Sequence, residues 1–225
     1  MSRPGEAFGH RQAILLAVTT VILLMGLQTY FLASAPIAEL NAAATRDWFI
    51  SNQRGVRIGV WATTLAIIPS VWLAALLRGR LPGGYRDMYF LGAASTIAAT
   101  SVQAWFWGGL ALHPERAPPE ILRALLDVTI YFGPVLTGTM VATVAPVTWL
   151  AIQRRAGLPK GLGWLGVVVI GEQLTETLTV FGYDGFLAPG GPMNMQLGAS
   201  LVLLWTLVFA GSVAFSDQAG NSDPI

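Results

Sequence analysis

Cysteine is absent from the 225 residues, and histidine occurs only twice, at His10 and His113. The first absence removes disulfides, thiolate metal sites and thiol nucleophiles together. The second leaves no imidazole inside an apolar stretch, which argues against haem or copper held by paired intramembrane histidines. Charge is scarce as well: 11% of the residues are Asp, Glu, Lys or Arg, against about 25% in soluble domains. Hydrophobic residues make up 54%, and the mean hydropathy is +0.59, so the composition is that of a polytopic membrane protein. A net charge of +1 gives no reason to expect nucleic acid as a partner. Walker loops, HExxH, GxSxG, CxxC and paired aspartate-rich diphosphate motifs are all missing. Phosphate transfer and metallohydrolase chemistry therefore have no support, and neither a cofactor nor a metal site is expected.

What the chain does have is six apolar runs, over about 12–34, 58–77, 88–112, 125–152, 161–183 and 193–215, with no Lys or Arg inside any of them. Each approaches or exceeds the ~20 residues that cross a hydrocarbon core as a helix. The expected fold is an all-α, single-domain, integral membrane bundle of six transmembrane helices. Ala33-Ser34-Ala35 after the first run has the small-x-small form of a signal-peptidase site. The run is longer than a usual signal core, however, and reads as a retained helix. Residues 36–57 read as a polar connection, with Ile37, Leu40, Ala43 and Ala44 spaced for a short surface helix. Pro69 predicts a kink in the second helix, and a helix is expected to start at Pro119 or Glu120. Pro134 and Pro146 interrupt the fourth run, with Thr137, Thr139, Thr143 and Thr148 available to satisfy freed carbonyls. Gly92, Thr96, Ala99 and Gln103 form a small-residue stripe suited to close helix approach.

Basic residues orient the bundle. Arg3, Arg11, Arg78, Arg80, Arg86, Arg154, Arg155 and Lys160 fall on one side, whereas Arg46, Arg54, Arg57, Arg116 and Arg123 fall on the other. The larger group, with every tight basic loop, predicts both termini in the cytoplasm. The six-helix pattern and the segment from Leu158 to Gly166 resemble small bacterial membrane proteins. That resemblance implies a multi-pass protein of the bacterial inner membrane and carries no residue roles.

The fifth run contains the chemistry. Glu172, Glu176, Thr179 and Tyr183 recur at helical spacing and share one face, with Gln173 beside them. A charged acid near a helix centre costs about 2.5–3.5 kcal/mol on insertion scales. With no basic residue at that depth and two like charges one turn apart, the pair is expected to face the bundle interior. It should carry at least one proton or hold a cation. Asp127, with Tyr131 one turn on, and Gln103 are the other polar groups within the runs that could complete a site.

Three functions follow from this set. An enzyme would use Glu172 and Glu176 as acid and base, with Asp127 assisting, to isomerise or cyclise a lipophilic substrate. Gln103, Tyr131, Gln173, Thr179 and Tyr183 would then bind and orient that substrate. A carrier would use the pair as a proton or cation site. An accessory subunit would use it for helix contacts within a homo-oligomer or a larger membrane complex. The expected partners are the lipid bilayer and a lipophilic small molecule.

Overall fold

The computed structural model describes residues 4–32, 40–182 and 184–216. They form helices α1 (Pro4–Leu32), α2 (Ala42–Arg78), α3 (Gly83–Leu110), α4 (Pro119–Ile130), α5 (Phe132–Ile152), α6 (Lys160–Glu176) and α7 (Ala199–Ser216). Two 3-10 turns, Thr177–Phe181 and Gly185–Leu187, follow α6, and a π-helical stretch, Met193–Gly198, leads into α7. There is no strand among the described residues. Four helical stretches are long and apolar enough to cross a membrane: Gly9–Phe31, Ala42–Arg78, Pro119–Ile152 and Met193–Phe215. α6 is only 17 residues long and carries Glu172, Gln173 and Glu176, and α3 opens on Arg86 and Asp87.

The largest departure from the sequence reading is α2. The expected polar connection over 36–57 is helical from Ala42 onward and runs unbroken into the second span. Asn41 caps it, its side chain accepting from the Ala44 backbone N–H at 2.9 Å. At 37 residues the helix is about 55 Å long, well beyond a ~30 Å core. Apolar positions within the charged segment keep it helical by packing. Phe49 and Val56 are fully buried against Trp107, Leu110, Ala111, Leu122, Leu126 and Ile130. The arginines hold the rim, with Arg46 donating to the carbonyls of Pro114 (3.3 Å) and Glu115 (2.7 Å). Ile37 and the Ala33–Ala35 segment lie outside the described residues.

A second core lies at the other end of the bundle. Ile14, Leu73, Leu77, Tyr89, Val147, Leu150, Leu162, Trp205 and Phe209 are its main members. α5 is the central element, packed on α3 on one side and α6 on the other. Small residues allow both approaches. Gly92 of α3 sits against the Thr143 backbone, and Thr96 donates to Thr139 across the interface at 2.9 Å. Gly163 and Gly166 of α6 seat against Ile152 and Thr148 of α5. Thr137, Thr139 and Thr143 bond to carbonyls of their own helix, as expected, while the Thr148 hydroxyl has no partner among the described residues. Pro134 interrupts the fourth run as expected: α4 ends at Ile130, and Pro134 stands in the first turn of α5, where its missing N–H costs nothing.

Candidate functional site

The inward face of α6 changes character along its length. Leu162, Gly163, Gly166 and Val169 are buried in its first half, then Glu172, Gln173 and Glu176 in its last turns. Val167, Val168, Leu174, Leu178 and Phe181 are exposed on the outward face. The helix turns into 3-10 geometry directly after Glu176, with the buried Thr179 hydroxyl donating to the Glu176 carbonyl at 2.7 Å. Tyr183 lies outside the described residues.

The two carboxyls are bridged by an amide. Gln173 Nε2 donates to Glu172 Oε2 at 2.9 Å and to Glu176 Oε2 at 2.8 Å. A second amide, Asn194 Nδ2 from the π-helical stretch, donates to Glu176 Oε1. Both oxygens of Glu176 therefore accept N–H bonds. Glu172 Oε1, by contrast, is buried with no partner among the described residues. No Lys, Arg or His forms an ion pair with either acid among the described residues.

Glycines make the space. A Cβ at Gly198 would meet Glu176 Oε2 at 3.0 Å, Glu172 Oε1 at 3.1 Å and Gln173 Nε2 at 3.3 Å, so the bare Gly198 backbone closes over the cluster. Gly133, in the first turn of α5, lies where any side chain would overlap the Asn194 amide. The π-helical geometry around Asn194 widens the turn that delivers it, a feature that recurs at functional sites.

The remaining sequence-predicted residues assemble elsewhere. Gln103, Asp127 and Tyr131 line one groove, with Val102, Phe106, Val128, Thr129, Phe132 and Val135. Its volume is about 490 Å³ and its walls are almost wholly apolar. Glu172, Gln173 and Glu176 are not among its lining residues. Asp127 is held by Arg123 at 2.5 Å, and Arg123 also donates to the Leu40 carbonyl at 2.8 Å. Asp127 is thus an ion-paired carboxylate at the groove rim, not a third member of the glutamate cluster. The groove and the cluster meet on the two sides of one helical turn: Phe132 and Val135 face the groove, and Gly133 between them abuts Asn194.

Sequence reasoning overlooked Asn194, Gly133 and Gly198. An amide in the first turn of an otherwise apolar run was the available signal for Asn194. Nothing in the sequence distinguishes Gly133 and Gly198 from the other glycines, since their role depends on which helix lies opposite.

Among the described residues no group of three His, Cys, Asp or Glu side chains is arranged to hold a metal ion. The fold defines an all-helical protein built largely from helices able to cross a membrane. Beyond that class, no protein-family model matches the chain, and no characterised protein or solved structure is similar to it.

Proposed function

We propose that this is a multi-pass membrane protein in which Glu172 and Glu176 share one proton, and in which that proton serves the binding of a lipophilic small molecule. The observation that carries this reading is the asymmetry of the pair. Glu176 accepts from an amide on each oxygen, which suits a carboxylate. Glu172 accepts on Oε2 alone, so the proton belongs on its unpartnered Oε1. One proton reduces two buried charges to one, which four amide and carboxyl groups can share without a cation.

The groove lined by Gln103, Asp127 and Tyr131 is the ligand site in this reading. Its almost wholly apolar walls suit a lipophilic molecule. Six crossings, counting α3 and α6, with both termini in the cytoplasm of a bacterial cell complete the proposed topology. Because the groove lies across one turn of α5 from the acids, proton-coupled binding or transport is favoured over direct isomerisation or cyclisation. Direct chemistry would need the reacting atom within hydrogen-bond reach of Glu172.

The test is the thermal stability of the purified protein from pH 5 to pH 9, with sodium or potassium and with a panel of isoprenoid, sterol-like and fatty compounds. Wild type, Glu172→Gln and Glu176→Gln are compared. The reading expects a compound that stabilises the wild type in a pH-dependent manner, with the pH dependence lost in Glu172→Gln. Identical pH and ligand responses in all three proteins would make the cluster a helix-packing device and sink the proposal.

A further inference from the structure

A separate feature lies on α2. Arg57 and Arg78 bracket a segment, 58–77, that contains no charged residue. Its helical rise is about 30 Å, the thickness of a hydrocarbon core, so the two arginines mark the two membrane interfaces. Arg78 is paired with Asp87 at 2.9 Å. Arg54 and Arg57, at the opposite interface, have neither an ion pair nor a side-chain hydrogen bond among the described residues. The other arginines at that end are engaged: Arg46 by backbone carbonyls, Arg116 by Glu115 and Arg123 by Asp127. Arg54 and Arg57 share a shallow groove of about 270 Å³ with Gln53, Ile58 and Trp61. Positions 54, 57, 58 and 61 follow helical spacing, so the groove runs down one face from two guanidinium groups to an exposed indole. Trp61 is 58% exposed one turn deeper, the level at which tryptophan anchors in a bilayer. Ile68 continues the exposed face to the membrane centre.

We infer that this groove binds the headgroup phosphate of an anionic phospholipid, with its acyl chain laid along Trp61 and Ile68. Two unpaired guanidinium forks offer bidentate donors to phosphate oxygens. Their joint charge favours a headgroup with a net negative charge over a zwitterionic one, whose own amine competes. Gln53 is already committed, donating to the Leu112 carbonyl at 3.2 Å, so it fixes the groove wall and leaves the phosphate to the arginines.

The experiment uses the full chain in detergent, titrated with phosphatidylglycerol, phosphatidylcholine or inorganic phosphate while the melting temperature is followed. Wild type should be stabilised by phosphatidylglycerol well beyond the other two. Arg54→Gln/Arg57→Gln should need on the order of tenfold more of that lipid for the same rise. Arg54→Lys/Arg57→Lys, which keeps the charge and loses the fork, should fall between and guards against a folding defect in the first variant. Arg154→Gln/Arg155→Gln, in the basic loop before α6, should behave as wild type. The inference is overturned if phosphatidylcholine or free phosphate stabilises equally. It is also overturned if the Arg54/Arg57 glutamine variant keeps the full response, or if the Arg154/Arg155 variant loses as much.

Discussion

Asp127 and Glu176 are both helical carboxyl groups beside a turn of irregular backbone, and the chain treats them in opposite ways. Asp127 sits half exposed next to a guanidinium, with Arg123 one turn earlier on the same helix. Glu176 is buried, its oxygens are met among the described residues by the amides of Gln173 and Asn194, and its neighbour one turn earlier is another acid. Amides are neutral donors and cannot cancel charge, whereas a guanidinium can. The difference teaches that Asp127 has a guanidinium partner, while the glutamate pair is met by neutral amides, and the proton we propose there is what would manage its charge. That is why the same residue chemistry reads as a rim clasp in one place and as a functional site in the other.

The comparison can be broken most forcefully at Gly133. Gly133→Val pushes a branched side chain into the Asn194 amide and should cost about 1–3 kcal/mol, the usual range for overpacking. A thermal melt in detergent measures this, and a melting temperature equal to wild type would mean that the Asn194 contact is dispensable. Arg123→Gln comes next, at about 1–2 kcal/mol, because it strips Asp127 of its counter-ion and the Leu40 carbonyl of a donor. Adding Asp127→Asn should recover part of that loss. Strict additivity in the double-mutant cycle would show that the ion pair contributes nothing.

The glutamates should then separate from each other. Glu176→Gln replaces one of two accepting oxygens with a donor that faces an amide, costing about 1 kcal/mol. Glu172→Gln keeps its oxygen toward Gln173 and turns its NH₂ to the unpartnered side, so stability should stay within about 0.5 kcal/mol of wild type. Equal losses at both positions would remove the asymmetry on which the proton assignment rests.

The smallest effect belongs to Asp87, a third carboxylate, exposed at the start of α3. The Arg78 hydrogen bond holds its pKa below the ordinary aspartate value, with Arg86 adding to the shift. A depressed folded-state pKa contributes stability above the unfolded value, and that contribution is lost as pH falls through the folded one. Arg78→Gln should therefore lower stability slightly at neutral pH and leave the most acidic end of the profile unchanged, where the contribution is already lost. A loss at the acid end as large as that at neutral pH would contradict this.

Much of the helical architecture was legible in the sequence because a membrane-spanning helix announces itself by composition. The polar face of α6 was legible for a related reason: Glu172, Gln173 and Glu176 are conspicuous in an apolar run, and helical spacing puts the two acids on one side. The N-terminal half of α2 was not legible, since Arg46, Asp47, Arg54 and Arg57 suggest a loop. Only the packing of Phe49 and Val56 on Trp107 and Leu126 reveals why that stretch stays helical. Gln103, Asp127 and Tyr131 read from the sequence as neighbours of the acids, and they line one groove that does not include Glu172 or Glu176. Attaching them to the glutamates required knowing on which side of α5 each helix packs, and periodicity within one helix carries no such information. Gly133 and Gly198 were invisible for the same reason.

The central claim is that a single proton resides on Glu172 while Glu176 is ionised. Infrared spectroscopy of the protein in an ester-free detergent at neutral pH tests it most directly, through the carbonyl band of a protonated carboxyl group. The account predicts that band in the wild type and its disappearance in Glu172→Gln. A wild-type spectrum without the band, or a band that survives in Glu172→Gln, would contradict it.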